Sequence, residues 1–293
     1  MTTTHKHQKV ESRNEKFTDR TATKIWCETP SDDNPYIASR ALCHGYDLIE
    51  LMQNRSFVDV FYLLFRGELP SVEDSRLLEQ LMIGLINPGP RHPATRAAMN
   101  AGVGKTNPVH ILPIAASVLG GNYLGGGEIE QAIRFFRKHL KKEPQDVANQ
   151  LLDRQLQDGS ENSEENSESV APGFGQRFGG IDLLADKLAK QLELNSAPES
   201  HLIWGIKFAK QLNTQSQGWL NTGVAAAVFA DLGFQPKYGG ALFQLLGAPG
   251  LLAHGLELAN KPINAMPFVS DENYILENHA LENQVLENHV LKK

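Results

Sequence analysis

Cysteine is nearly missing from this chain. Cys27 and Cys43 are the only two among 293 residues, too few for a disulfide scaffold or a four-thiolate metal site, and each is read as an ordinary buried thiol. An excess of positive charge is missing as well: 28 Lys and Arg stand against 34 Asp and Glu, for a formal charge of -6. No broad basic surface can neutralise a nucleic-acid backbone, so nucleic acid is not an expected partner. No window holds about 18 consecutive apolar residues, so no membrane span is expected. The N-terminal MTTTHKHQKVESRNEKF offers no apolar run for a secretory signal, which makes the cytoplasm the expected compartment.

Several catalytic signatures are absent too. Gly102-Val103-Gly104-Lys105-Thr106 carries the letters of a phosphate loop, but Met99 stands where the upstream glycine belongs, and Thr95 to Ala98 is no apolar strand. There is no G-x-S-x-G elbow and no H-E-x-x-H helix. His5 and His7 are two ligands at most where zinc needs three or four, and no metal is expected.

What is present is 41% hydrophobic and 21% charged, enough to bury a large core in one or two domains. Apolar residues recur at helical spacing from Tyr46 to Met52 and from Phe57 to Phe65, with Ser56 placed to cap the second helix and Gly67 and Pro70 closing the unit. The pattern returns from Glu73 to Leu85 and stops at Asn87-Pro88-Gly89-Pro90. His110 to Leu119 is apolar nearly all round and runs into the glycine-rich Gly120 to Gly127, after which Glu128 opens an amphipathic segment to Leu140. Further helical patterns run from Asp182 to Leu192, Glu199 to Leu212, Gly223 to Leu232, Tyr238 to Leu246 and Gly250 to Leu258. No series of alternating strands emerges, and the expected fold is all-α.

Two segments stand apart. Residues 158–169 are acidic, serine-rich and free of hydrophobes, and are read as a disordered insertion that cannot offset its ordering entropy by burial. Leu276, Leu281, Leu286 and Leu291 open a five-residue repeat that advances by 140° per repeat on a helix and alternates faces on a strand, from the ~100° per residue of a helix and the two-residue period of a strand. It builds no stripe and is read as a solvated tail; metal binding by His279 and His289 is the weaker alternative.

The order of the glycine and proline breaks carries a resemblance. Gly45-Tyr-Asp-Leu-Ile-Glu-Leu51, Ser56-Phe57, Tyr62-Leu-Leu64 and Gly67-Glu-Leu-Pro70 come first. Pro90 with Pro93-Ala94-Thr95, the run around Tyr123, Pro172-Gly-Phe-Gly175, Asp231-Leu-Gly233 and Pro249-Gly-Leu-Leu-Ala-His254 follow. Together, over roughly residues 24 to 265, they resemble the citrate synthase family, and the short passage from Pro70 to Asn87 resembles its compact citryl-CoA lyase-like branch. The resemblance implies a helical homodimer with a large and a small domain, a cleft between them, and CoA or an acyl-CoA as ligand. The expected partition is an arm at 1–23, large-domain residues 24–140, a connecting helix at 141–157, the insertion at 158–169, a small domain at 170–222, a return to the large domain at 223–270 and the tail at 271–293.

Carbon–carbon chemistry beside a thioester needs a carboxylate base, histidines that stabilise oxyanions, and arginines that clamp carboxylates. At the matching positions this chain departs from the family. Asn87-Pro88 replaces an Asp-His pair, Leu124 and Gln176 replace histidines, Thr222 replaces the catalytic aspartate, and Gly247 replaces a carboxylate-binding arginine. Leucine donates no hydrogen bond to an enolate, threonine is no base near neutral pH, and glycine forms no clamp. Arg177 keeps the family identity, and Gly173, Phe174 and Gly175 keep the turn that lies against CoA in the family. Arg91, His92 and Asn122 are candidate substrate ligands, with Arg96 and Lys105 nearby; a solvated turn is the plainer reading for the charges. Glu128 is explained by the helix dipole, Tyr123 by packing, and His254 by a structural role. The favoured reading is a binding or regulatory protein that has lost conventional citrate chemistry. Altered acyl-CoA lyase or acyltransferase chemistry, and an oligomeric scaffold, are the alternatives.

Overall fold

The computed structural model describes residues 22–158, 169–267 and 269–274. The arm's His5 and His7, the middle of the acidic insertion and the pentapeptide repeat lie outside those residues. The ends of the insertion do not: Asp158 closes a helix and Ser169 opens a strand. Backbone contacts group the chain into one compact unit up to Glu79 and a second from Gln80 onward.

The first unit begins with short strands, in a chain that is helical for most of its described length as expected. Strands β1 (Trp26–Pro30), β2 (Ala38–Cys43) and β3 (Tyr46–Asp47) form an antiparallel sheet in that order. Cys43 pairs with Tyr46 across a two-residue turn in which His44 and Gly45 both take positive φ, 47° and 89°, a geometry matched to strand twist. Tyr46, expected in a helix, is therefore the end of a hairpin. Cys27 is exposed on β1, against the expected burial, because that strand is exposed along its whole length; Cys43 is buried. Asp47 caps α1 (Leu48–Asn54) by accepting from the Ile49 and Glu50 amides at 2.9 and 3.3 Å. Ser56 and Asp59 form a reciprocal capping box on α2 (Phe57–Arg66), and Gly67 ends it in the left-handed conformation, as the sequence leads one to expect. Cys43, Leu51 and Leu63 make the small core between sheet and helices. Helix α3 (Val72–Gly84) follows and carries the chain into the second unit.

The second unit is helical: α4 (Pro93–Val103), α5 (Ile111–Leu119), α6 (Ile129–His139), α7 (Pro144–Asp158), α8 (Leu183–Glu193), α9 (His201–Leu212), α10 (Asn221–Asp231) and α11 (Gly239–Ala259). A three-stranded antiparallel sheet, β4 (Ser169–Ala171), β5 (Phe174–Gly175) and β6 (Gly218–Trp219), sits among them. Helix α11 packs on α4 and α5, α10 on α6, and α7 on α9. Every residue of α10 from Thr222 to Ala230 is buried, which small side chains permit. The aromatic core joins α6, α9, β5 and β6: Phe174 lies 4.8 Å from Phe208 and 4.6 Å from Trp219, and Phe136 stacks on Trp219 at 6.0 Å, ring centre to ring centre. Trp204 joins the cluster, its ring centre 5.9 Å from Phe135 and 6.1 Å from Phe136.

One expected break does not occur. The passage Gly247-Ala-Pro-Gly250 reads as a gap between helices, yet α11 runs through it with Pro249 inside. The physical reason is an outside partner: the Gly250 amide donates to the Ile86 carbonyl at 2.9 Å, so the turn disturbed by proline is satisfied from another segment. Gly250 is required there because a Cβ would come within 2.6 Å of the Ile86 carbonyl oxygen and Asn87 Cα. By length and composition Pro236–Ala259 is apolar enough to cross a membrane; here it is the central helix of the packed unit.

Candidate active-site cleft

Four of the five places singled out by the resemblance converge; Gln176 does not join them. Asn87, Pro88, Leu124, Thr222 and Gly247 all line one cavity, beside Arg177, Asp182 and His92. The cavity is small, about 20 Å³, enough for the centre of a single water. Three segments build it.

The first is the lip before α4. Asn87 Oδ1 accepts from the Gly89 amide at 2.9 Å, folding the chain back, and its side-chain amide meets His254 Nε2 at 3.2 Å. His92 then caps α4: its Nδ1 accepts from the Ala94 amide at 3.1 Å, so Nε2 holds the proton and donates to the Leu124 carbonyl at 3.1 Å. Only 5% of His92 is exposed. Burial, its largest influence, and the nearby Arg177 charge lower its pKa, while the Leu124 carbonyl opposes them. A neutral imidazole with both nitrogens engaged is a structural tie between the lip and the glycine-rich run.

The second segment is that run. Leu124 takes a positive φ of 54°, a region that disfavours branched side chains, and turns its side chain to the cavity. Beyond it, Glu128 does more than begin a helix. Its Oε1 accepts from the Gly173 amide at 2.8 Å and its Oε2 from the Thr222 hydroxyl at 2.9 Å. Burial pushes the Glu128 carboxyl up, against the lowering influence of those two donors. Gly173 and Gly223 meet backbone to backbone at this point, and a Cβ on either would overlap the other.

The third segment is the turn after β5. Arg177 Nη1 donates to Asp182 Oδ2 at 2.6 Å, with both side chains mostly buried, and Asp182 Oδ1 also caps α8. The retained arginine is thus already paired with a carboxylate. At Gly247 a Cβ would lie 2.9 Å from Leu119 Cδ2 and 3.4 Å from Pro88 Cγ, so the space into which a longer side chain would reach is occupied. Asn221 Oδ1 is buried at the cavity wall without a hydrogen-bond partner among the described residues.

Other expected site residues sit elsewhere. Phe174 is fully buried in the aromatic core, and Gly173 and Gly175 are buried with it; none of the three lines the cavity. Gln176 is half-buried outside the lining, and Asn122 is exposed on the glycine-rich run. Arg91 is exposed and lines an adjoining groove of about 560 Å³ that shares Pro88, Arg177 and Asp182 with the cavity. Among the described residues no three His, Cys, Asp or Glu side chains group as metal ligands. Sequence reasoning missed Asp182 and the reach of Glu128. An acid directly after three glycines was the available signal, since small residues let a long carboxylate approach backbone amides.

No family model matches the chain, and no curated protein matches it in sequence. Solved structures do. Citryl-CoA lyase from Hydrogenobacter thermophilus is similar over 88% of this chain and 94% of its own, at 23% identity and a TM-score of 0.67. Methanosaeta concilii ATP citrate lyase, solved with (3S)-citryl-CoA, matches 90% of this chain and 44% of its own at 17% identity and a TM-score of 0.62. Citrate synthase from Thermotoga maritima matches 78% and 61% at 21% identity and a TM-score of 0.57. The fold is the helical, citrate synthase-like fold. This chain covers that citryl-CoA lyase almost from end to end.

Proposed function

We propose that this protein binds CoA or an acyl-CoA at the cleft and does not carry out conventional citrate formation or citryl-CoA cleavage, serving a binding or regulatory role. The observation that carries the reading is the cavity lining: Asn87, Pro88, Leu124, Thr222 and Gly247 stand together, and the one arginine among them is neutralised by Asp182. Such a wall supplies neither a base nor an oxyanion donor of the strength that thioester chemistry needs. Ligand binding is supported by a solved relative of the fold, the Methanosaeta concilii ATP citrate lyase, which was solved with (3S)-citryl-CoA. The residues present fit such a ligand at its two ends. Arg91, unpaired among the described residues, faces an anionic group, and Phe178 and Leu183, 66% and 69% exposed, flank an apolar arm in the adjoining groove. The backbone at Gly173 to Gly175 shapes the turn beneath Arg177.

In this reading residues 24–140 and 223–270 form a large domain and 170–222 a small one, and the active species is a cytoplasmic homodimer without a metal. Ile114 and Val118 on α5 and Leu245 and Leu256 on α11 are exposed apolar side chains that a second copy would cover. Calorimetric titration with CoA and acetyl-CoA, run beside assays for acetyl-CoA condensation with oxaloacetate and for citryl-CoA cleavage, tests the reading. Binding without turnover is expected. Turnover abolished by Arg177→Ala would overturn the loss of catalysis, and no binding would leave the oligomeric scaffold.

Glu128 favours a second reading, an acyl-CoA-dependent carbon–carbon lyase or acyltransferase with altered residues. Its buried carboxyl reaches the cavity wall through the Thr222 hydroxyl. A screen of acyl-CoAs with 2-oxo acids that finds turnover in the native protein, and none in Glu128→Gln, would establish that reading over the first.

A further inference from the structure

A second cavity, of about 300 Å³, lies between α6, α7 and β4. Four basic side chains line it, Lys138, His139, Lys142 and Arg154, and among the described residues no carboxylate does. In a chain with a formal charge of -6 such a convergence runs against the average surface. Among the described residues the side chains of Lys138, Lys142 and Arg154 make no ion pair or hydrogen bond. Exposed bases elsewhere behave differently: Arg134 closes on Glu130 and Lys190 on Asp186.

Helix electrostatics accounts for only part of this. Cations in the last turn of α6 complement its dipole, which covers Lys138 and His139. Lys142 lies beyond α6, and Arg154 comes from the interior of α7, so neither serves that end. Like charges gathered at one cavity oppose the compact state unless a counter-charge joins them. The imidazole is held rigidly: His139 Nδ1 donates to the Phe135 carbonyl at 3.0 Å, and the ring lies 4.5 Å from Phe135 and stacks on Trp204 at 6.4 Å. That leaves Nε2 without a partner among the described residues, close enough to Lys138 and Lys142 for their charges to help burial lower its pKa. Phe135 and Leu151 add an apolar wall.

We infer that this cavity binds a small molecule bearing several phosphates, which Lys138, Lys142 and Arg154 hold while Phe135 and Leu151 take its organic part. Two lysine ammonium groups and a forked guanidinium suit a multiply charged phosphate chain better than a single carboxylate. The cavity shares no lining residue with the cleft.

The test is calorimetric titration of the full chain with inorganic triphosphate and with ATP at physiological ionic strength. Saturable one-to-one binding of both is expected, weakened at least tenfold in a Lys142→Ala, Arg154→Ala double variant. Arg134→Ala, outside the cavity, and Arg177→Ala, in the cleft, leave it unchanged. Failure of both probes to saturate below millimolar concentration overturns the inference. So does full affinity in the double variant, citrate binding as tightly as triphosphate, or loss of triphosphate binding in Arg177→Ala, which would move the site to the cleft.

Discussion

The aromatic core behind Phe174 and the small cavity in front of Thr222 lie on two sides of the same short elements, the β5 turn and the start of α10. They are built by opposite rules. In the core, Phe136, Phe174, Phe208 and Trp219 are fully buried against one another, and stability comes from area removed from water. At the cavity the side chains are small, neutral or already paired, and one polar atom, Asn221 Oδ1, has no partner among the described residues. The difference teaches that the fold's packing and its site chemistry are separable. The turn at Gly173 is held by its close contact with Gly223, whatever side chains stand beside it on the cavity wall.

The strongest way to break that comparison is to strike the core. Phe136→Ala removes a fully buried ring and should cost about 3–5 kcal/mol, read as a shifted midpoint in urea; a cost below 1 kcal/mol would deny the core its role. Next, Gly223→Ala should cost about 1–3 kcal/mol, because its Cβ overlaps the Gly173 backbone and the surroundings must move. Since α10 also walls the cavity, the same variant should lower CoA affinity, and unchanged affinity would separate turn from cleft.

Two titratable groups sharpen the comparison through opposite pH trends. Glu128 has a raised pKa, so the folded state holds its proton more tightly than the unfolded chain does. Its contribution to stability therefore falls as pH rises from the ordinary carboxyl value of 4.5 through the folded value, and Glu128→Gln flattens that trend. His92 has a lowered pKa, so its contribution is complete above the ordinary value of 6.5 and is lost as pH falls through the folded value. His92→Asn should remove that acid sensitivity in denaturation curves recorded at a series of pH values. The smallest effect is expected at the exposed Arg134–Glu130 pair, where Arg134→Ala should leave the melting temperature unchanged.

Much of the helical order was legible in the sequence because most helices show a buried stripe and a stop. Ser56, Gly67 and Asp182 act at helix ends where the pattern placed them. The first hairpin was not legible, since Tyr46 fits either a helical stripe or a strand, and only the paired positive φ values at His44 and Gly45 decide between them. Pro249 was misleading for a similar reason: a proline marks a break unless a distant carbonyl takes over the hydrogen bonding, and Ile86 is distant in sequence. At the site, the five replaced positions were legible as a set, and the structure places four of those segments, Asn87-Pro88, Leu124, Thr222 and Gly247, on one wall. What no local pattern carries is the pairing across the chain, Glu128 with Thr222 and Arg177 with Asp182, because a carboxylate's partner is chosen by the fold.

The Gly250 amide gives the cleft a built-in reporter. It is bonded to the lip at Ile86 rather than within its own helix, so its exchange with solvent deuterium measures how often the lip lifts away while α11 stays folded. A ligand that seats against Asn87 and Pro88 will slow exchange at this one amide more than at its helical neighbours.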